Sequence, residues 1–126
     1  MKKPSQHDVV IKGIHNDWKD ILEHSEQAMY IYLDDAHIIC NKRFASLLGY
    51  ASPDAMATVS GSFLQSFVTE KSQRTLVGSY RQAMEKMVGS TTKITWKKKS
   101  GSLVDSTVML IPAAHQGHVF AVHFIS

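Results

Sequence analysis

The sequence has only one cysteine, Cys40, among its 126 residues. A single thiol excludes an intramolecular disulfide, a Cys-x-x-Cys redox pair and a zinc site built from several cysteines. No apolar run approaches the ~20 residues that cross a bilayer, and the polar start MKKPSQHDVVIKG lacks the apolar segment of a signal peptide. We therefore expect a cytoplasmic protein that has no membrane partner.

The chain also has little net charge. The formal net charge is only +3, and much of the excess comes from Lys93 and the run Lys97–Lys99. Nucleic-acid-binding domains usually spread basic residues along one face, among aromatic side chains or on a helix that enters a groove. A compact lysine run followed by a Ser-Gly pair is instead typical of a solvated hairpin tip. The pattern predicts no nucleic-acid partner.

Apolar residues make up 44% of the chain and charged residues 20%, which is an ordinary globular composition. A chain of this length buries about two thirds of its unfolded surface around one core. Pro4 and Gly13 interrupt the polar start, so we expect residues 1–13 to form a flexible arm. The remaining sequence predicts a single domain, 14–126, made of a flanking helix and a core, 14–25 and 26–126.

An amphipathic stripe marks the flanking helix. Its apolar side chains recur at helical spacing and share one face: Ile14, Trp18, Ile21 and Leu22. Two interpretations stay open, because the stripe could cover its own domain or meet the same stripe on a second copy. Since these side chains would otherwise be exposed apolar surface, we predict that they form a homodimer interface.

Strand and helix patterns alternate along the rest of the chain. AMYIYL and HIIC, joined by a turn with two aspartates, predict a hairpin, after which Asn41 suits a helix N-cap. A longer helix is predicted from Thr69 to Val88, and Gly78 inside it indicates a close backbone approach. Three strand patterns follow: STTKITWKKK, SLVDSTVMLIPA and HVFAVHFIS. This order predicts an α+β domain with a mostly antiparallel, five-stranded sheet.

The same order of elements, with NKRFASLLGY, FLQSFVTEKSQRTLVGSYRQAM, KKKSGSLVDSTVML and GHVFAVHFIS, resembles the PAS domain family over about residues 15–126. In that family an asparagine after the second strand leads into a helix that ends in Gly-Tyr, as Asn41 leads to Gly49 and Tyr50. The family also carries a basic run before a glycine between its third and fourth strands, and KKKSG is similar to it.

The resemblance implies a PAS-like fold and a sensory or protein-interaction module in signal transduction. Its sheet and helices would enclose a cavity for a ligand or cofactor, while the outer sheet face or the flanking helix would contact a partner. A stand-alone chain would signal through a partner protein, whereas an excised domain would belong to a kinase, a cyclase or a transcription regulator. We expect no catalysis by the domain itself.

The residues that define two cofactor sites of the family are missing here. The flavin-binding subgroup called LOV has a cysteine before Arg-Phe-Leu-Gln, but SGSFLQ places Gly61 at the cysteine position and Ser60 at the preceding asparagine position. Oxygen-sensing members bind haem through a histidine on the long helix, and residues 70–88 contain none. We therefore expect no cofactor, although a flavin or haem sensor with a non-standard site remains an alternative.

Two further chemistries have weaker support. A metal could be held by the two histidines of the last turn, His115 and His118, with His123 further along the strand. Such histidines are more simply solvated polar residues, so no metal is predicted. A small cavity enzyme would need a buried carboxyl group beside a phenol, as in a pairing of Asp105 with Tyr30 or Tyr80. The simpler interpretation of Asp105 is a strand residue that faces water.

A small apolar ligand in the core is the last hypothesis. Methionine adapts its shape to irregular space, so several methionines in one core could line an accommodating cavity. The candidate lining residues are Met29, Ile31, Leu76, Tyr80, Met84, Ile94, Trp96 and Met109. We favour the alternative that these side chains simply fill the core, because a domain of this size has little interior to spare.

Overall fold

A computed structural model describes residues 6–59 and 61–126 of the chain. Five helices and five strands follow one another along it: α1 (Gln6–His24), β1 (Ala28–Asp34), β2 (His37–Cys40), α2 (Lys42–Leu47), α3 (Pro53–Ala57), α4 (Phe63–Phe67), α5 (Glu70–Lys86), β3 (Ser90–Lys97), β4 (Leu103–His115) and β5 (His118–Ile125).

The strands form one sheet in the order β2-β1-β5-β4-β3, and every neighbouring pair is antiparallel. The central position of β5 joins the N-terminal hairpin to the C-terminal meander. The predicted α+β class and five-stranded antiparallel sheet are confirmed. Within the described ranges, no helix is long and apolar enough to cross a membrane.

The changeover from β2 to α2 is fixed by the buried side chain of Asn41. Its carbonyl oxygen accepts hydrogen bonds at 3.0 Å from the backbone N–H groups of Phe44 and Met29. Its amide nitrogen donates to the backbone oxygen of Gln27 at 2.9 Å. One side chain therefore caps α2, as predicted, and also ties the cap to β1.

The prediction of a flexible arm over residues 1–13 is wrong for the described part of that segment, which belongs to helix α1. Residues 1–5 lie outside the described part of the chain, but residues 6–13 are helical, and Val10 is only 4% exposed. Gly13 does not interrupt this helix. A Cβ atom at that position would lie 2.5 Å from Nε2 of His115, so the glycine lets α1 approach the end of β4 closely.

The two faces of the sheet follow the two-residue period of the strands. The inner face packs against α2 to α5, and its buried side chains include Tyr30, Ile94, Trp96, Val108 and Ile125. The outer face packs in part against α1, through Met29, Ile31, Phe120 and Val122. The domain therefore has a large inner core and a smaller outer one, with the sheet between them.

Candidate functional site

The inner core is built around the ring of Tyr30. The ring centroids of Phe44 and Phe63 each lie 5.0 Å from it, and that of Trp96 lies 5.8 Å away with its plane nearly perpendicular. All four side chains are buried. Aromatic rings therefore occupy the space between the sheet and the short helices, where a PAS-like cavity was expected.

A histidine completes this cluster. The ring of His123 stacks on Tyr30 with centroids 3.9 Å apart and planes within 10°. Burial lowers the pKa of His123 to about 3, although the nearby backbone of Tyr30 and Ala121 favours its charged form. Burial likewise raises the pKa of Tyr30 well above its ordinary value. Both rings are therefore neutral near pH 7.

The Tyr30 hydroxyl and Nδ1 of His123 have no hydrogen-bond partner among the described residues. Such atoms are uncommon in protein interiors and destabilise the fold unless something else satisfies them. His123 lies on the last strand, as expected, but its pairing with Tyr30 was not predicted. The period of β5 could have revealed it, because His123 lies between Ala121 and Ile125 on the inner face.

A cleft of about 700 Å³ opens beside the aromatic cluster, between β2 and helices α2 to α4. Its apolar wall includes Ile38, Cys40, Phe44, Met56, Phe63 and Phe67. Burial raises the pKa of the Cys40 thiol to about 12, with a smaller contribution from Asp54. The thiol is therefore protonated near pH 7 and behaves as a small apolar group.

Glycine at position 61 suits the local backbone. Gly61 has φ +98°, a conformation that residues with a side chain rarely adopt. It occupies the position matched to the LOV cysteine, whereas Ser60, matched to the preceding asparagine, lies outside the described residues. No thiol is therefore available at this position for a flavin adduct, and the expectation that the domain binds no flavin remains a prediction.

The eight predicted pocket residues do not form one site. Leu76, Ile94 and Trp96 are buried in the inner core. Tyr80 and Met84 pack nearby, against a small cluster around Leu110. All eight are described, and none of them lines the cleft.

Three of the eight lie on the wrong face of the sheet for an inner pocket. Met29 and Ile31 point toward α1, because Tyr30 between them takes the inner position. Met109 is 42% exposed on the outer face. A shift of one residue in a strand reverses the face, and positions 29–33 of β1 are all apolar or aromatic, so they do not indicate which face is buried.

The predicted dimer stripe is largely covered by its own domain. Ile14 and Leu22 are buried on the outer face of the sheet, and the Trp18 ring meets Phe120 edge to face. Only Ile21, 48% exposed, keeps a largely free side chain. Most of the stripe therefore follows the alternative that it covers its own domain, because α1 packs against the outer sheet face.

The part of the outer face beyond α1 remains open. Met109 and Ile111, two residues apart on β4, are 42% and 38% exposed, and Phe124 beside Met109 is partly buried. The neighbouring strand β3 presents Thr91 and Lys93 on this face. We call Met109, Ile111 and Phe124 the outer apolar strip; α1 borders it on one side and polar side chains on the other.

The structure contradicts the proposed carboxyl and phenol pairs. Asp105 is exposed on the outer face and accepts a hydrogen bond at 2.6 Å from the hydroxyl of Thr95. Tyr30 belongs to the inner core, and Tyr80 packs on the inner cluster around Leu110. The sheet therefore separates the carboxylate from both phenols.

The three histidines that were considered for a metal site are also dispersed. His115 pairs with Asp17 of α1 at 2.9 Å, whereas His123 is buried on the inner face. The ring of His118 instead lies against His7 of α1, with centroids 5.6 Å apart. These three histidines consequently do not share a metal site.

No protein-family model and no curated protein sequence matches this chain. Solved structures do match. A PAS domain from a two-component sensor histidine kinase is 16% identical, with a TM-score of 0.64 over 96% of this chain and 98% of that one. A PAS domain from Colwellia psychrerythraea is 17% identical, with a TM-score of 0.67 over 90% and 95% of the two chains.

The LOV protein of Rhodobacter sphaeroides is also similar, with 10% identity and a TM-score of 0.67 over 91% of this chain and 66% of that one. Each likeness extends over most of the present chain and includes helices as well as the sheet. At these identities the likeness concerns the fold. Together with the strand order and the Asn41 cap, it shows that this chain adopts the PAS fold.

Proposed function

We propose that this domain is a sensory or signalling module that acts by protein contact and has no catalysis of its own. The observation that carries the proposal is the outer apolar strip, which leaves part of one sheet face uncovered, whereas most of the opposite face packs against helices α2 to α5. Exposed contiguous apolar surface with a polar rim is typical of interaction sites. The polar neighbours Thr91 and Lys93 supply one side of such a rim.

The partner we propose is a second copy of the chain. A symmetric pair would bury Met109 and Ile111 against the same strip of the other copy. This interface replaces most of the predicted stripe, since Ile14 and Leu22 already serve the monomer. A different signalling protein on the same strip is the alternative.

Ile111→Lys tests the interface. A charge at the strip should turn a dimer into a monomer, because the substitution would bury an unpaired ammonium group between two copies. Val119→Lys is the matched control: Val119 is 40% exposed, close to the 38% of Ile111, but its side chain alternates to the other face of the sheet. Sedimentation velocity over a range of concentrations measures both.

The expected result is a monomer for Ile111→Lys and an unchanged dimer for Val119→Lys. A wild-type protein that stays monomeric at every concentration would reject self-association and leave another protein as the partner. Equal behaviour of the two variants would place any dimer contact away from the outer apolar strip.

A second candidate function is the binding of a small apolar molecule in the cleft. Its apolar wall and its volume of about 700 Å³ support this proposal, although the predicted lining residues lie elsewhere. Val59→Trp would place an indole at the cleft wall. We expect this variant to weaken the binding of a fluorescent apolar probe, while Met109→Trp on the outer face leaves it unchanged; equal binding would reject the cleft as the site.

Native mass and an absorption spectrum test the remaining alternative of a resident cofactor. We expect the mass of the polypeptide alone and no visible absorption. A coloured protein with additional mass would instead favour a flavin or haem sensor.

A further inference from the structure

A group of histidine and aspartate side chains lies outside both cores, where the start of α1 meets the β1–β2 turn. His7 and Asp8 belong to the first turn of α1, Asp34 ends β1, and His37 begins β2. We call these four residues the His–Asp cluster. They are distant in sequence, and they meet because α1 begins at Gln6 and lies along the outer side of the sheet.

Two imidazole rings converge on one carboxylate in this cluster. One oxygen of Asp34 contacts Nδ1 of His7, and the other lies 2.7 Å from Nδ1 of His37. The backbone N–H of Ala36 donates to the latter oxygen at 2.9 Å, which helps to hold the carboxylate in place. Asp34 is thus oriented by its own turn, with a ring nitrogen at each oxygen.

The potential ligand atoms are close enough to share one ion. Nδ1 or Nε2 of His7 and His37 and a carboxylate oxygen of Asp34 lie within 4.8 Å of one another. A zinc ion holds such atoms at about 2.0–2.2 Å, so tetrahedral ligands lie about 3.3–3.6 Å apart. Small side-chain rotations would bring the three atoms onto a common centre.

Asp8 gives His37 the orientation that a metal ligand requires. Nε2 of His37 contacts a carboxylate oxygen of Asp8, while Nδ1 points into the cluster. When Nε2 keeps its proton and donates to Asp8, the lone pair of Nδ1 is directed at the position of the ion. A carboxylate that holds the far nitrogen of a ligating histidine is a recurrent feature of zinc sites.

The cluster is accessible but not fully exposed. The side chain of His37 is 16% exposed, whereas those of His7 and Asp34 are 40% and 35% exposed. The ring of His118 lies edge to face against His7. An ion could enter from solvent, and its fourth ligand would be water or His118 after a rotation of that ring.

A second group of similar residues provides a comparison within the same helix. Asp20, Glu23 and His24 also lie within ligand distance of one another, but all three are exposed and occupy neighbouring turns of α1. Among the described residues, all three ligands of this group come from the one helix. The chain therefore carries its own control for adsorption of metal at exposed helix side chains.

We propose that His7, Asp34 and His37 bind a divalent transition-metal ion of the zinc type, with Asp8 as the positioning residue for His37. The two nitrogen ligands and one oxygen ligand suit zinc better than calcium or magnesium, which prefer oxygen alone. The bound ion would fasten the start of α1 to the β1–β2 hairpin. This site is separate from the outer apolar strip and does not depend on the function proposed above.

The test uses the full chain without an affinity tag, first freed of metal with a chelator. Competition with a chromophoric chelator measures the affinity for Zn²⁺ near neutral pH, and the absorption spectrum of the Co²⁺-loaded protein reports the ligand set. We expect one ion per chain. Thermal unfolding should shift upward when Zn²⁺ is added, because the ion binds only the folded cluster tightly.

Four variants assign the site. His37→Ala and Asp34→Asn should each weaken Zn²⁺ binding by at least about tenfold and alter the Co²⁺ spectrum. Asp8→Asn should weaken binding by about tenfold with the Co²⁺ ligand set retained, which a general loss of structure would not produce. The control, His24→Ala in the exposed group, should change neither measurement.

The absence of one-to-one binding to the wild type would overturn the proposal. Undiminished affinity in both His37→Ala and Asp34→Asn would also overturn it, as would a loss caused by His24→Ala. If a variant fails to fold, NMR shifts of the wild-type histidine rings decide the question. Zn²⁺ must then move the resonances of His7 and His37 before that of His24, and the reverse order would reject the site.

Discussion

The inner and outer faces of the sheet are built from the same alternating strands but differ in how much of their apolar surface the helices cover. On the inner face, Tyr30, Trp96 and two phenylalanines fill the space beneath the helices, and even a histidine is buried there. On the outer face, one helix covers Phe120 and Val122 but leaves Met109 exposed. The inner face therefore provides most of the packing, whereas the outer face combines a covered part with one available for contacts.

The difference also concerns the polar groups. The inner face keeps Tyr30 and His123 neutral because both rings are buried. The edge of the outer layer keeps its aspartates and histidines paired and partly solvated. Metal binding and partner binding are consequently proposed for the outer side, while the inner side principally maintains the fold.

The largest expected effect comes from deleting an inner ring. Trp96→Ala should reduce the free energy of unfolding by about 3–5 kcal/mol, because it removes a fully buried indole and leaves a cavity. Met109→Ala on the exposed outer face should cost less than about 1 kcal/mol. Urea denaturation of both variants measures the contrast. Equal losses would show that the two faces contribute alike.

Because His123 is buried, we expect the free energy of unfolding to depend on pH. Between its folded pKa of about 3 and an unfolded pKa of about 6.5, His123 binds a proton only in the unfolded state. Its contribution to stability should therefore rise with pH across this window, by up to about 1.4 kcal/mol per pH unit, and level off above it.

His123→Phe removes the titrating group and retains an aromatic ring on Tyr30. The difference in unfolding free energy between the wild type and this variant should carry the slope, so that other titrating groups cancel. Chemical denaturation at several pH values gives the measurement. A constant difference across the window would mean that His123 is accessible to protons in the folded protein.

The smallest expected effect compares two glycines in helices. Nothing lies within 4 Å of a Cβ atom built at Gly78, so the close approach expected there is not found. Gly78→Ala should stabilise the protein by up to about 1 kcal/mol, through helix propensity. Gly13→Ala should lack this gain, because the His115 ring would have to move away from α1.

Thermal unfolding of the two alanine variants measures this contrast. A similar gain from both would show that the α1–β4 contact yields easily and that the outer layer is loosely packed.

Local signals determined much of the fold. The two-residue and helical periods located the strands and helices, and Asn41 was recognisable as a cap because its role depends on the next few backbone N–H groups. The ordered motifs then indicated the PAS arrangement. The start of α1 was missed, because Gly13 resembles a helix breaker unless the nearby His115 is known.

The positions of the site residues could not be predicted from local sequence patterns. In β1 every position from Met29 to Leu33 is apolar or aromatic, so the sequence could not decide which residues face the helices and which face α1. The apolar stripe of α1 likewise did not indicate whether its own sheet or a second copy would cover it. The cluster of His7, Asp34 and His37 exists only because the packing of α1 brings together segments about thirty residues apart.

The sequence by itself thus determined the order of the elements, since each depends on short-range hydrogen bonding and periodicity. Only the tertiary structure decided which strand face is buried, where α1 lies and which charged side chains meet. Those outcomes depend on contacts between distant segments, and the free energy of burying one face or the other is settled only when the whole sheet has formed.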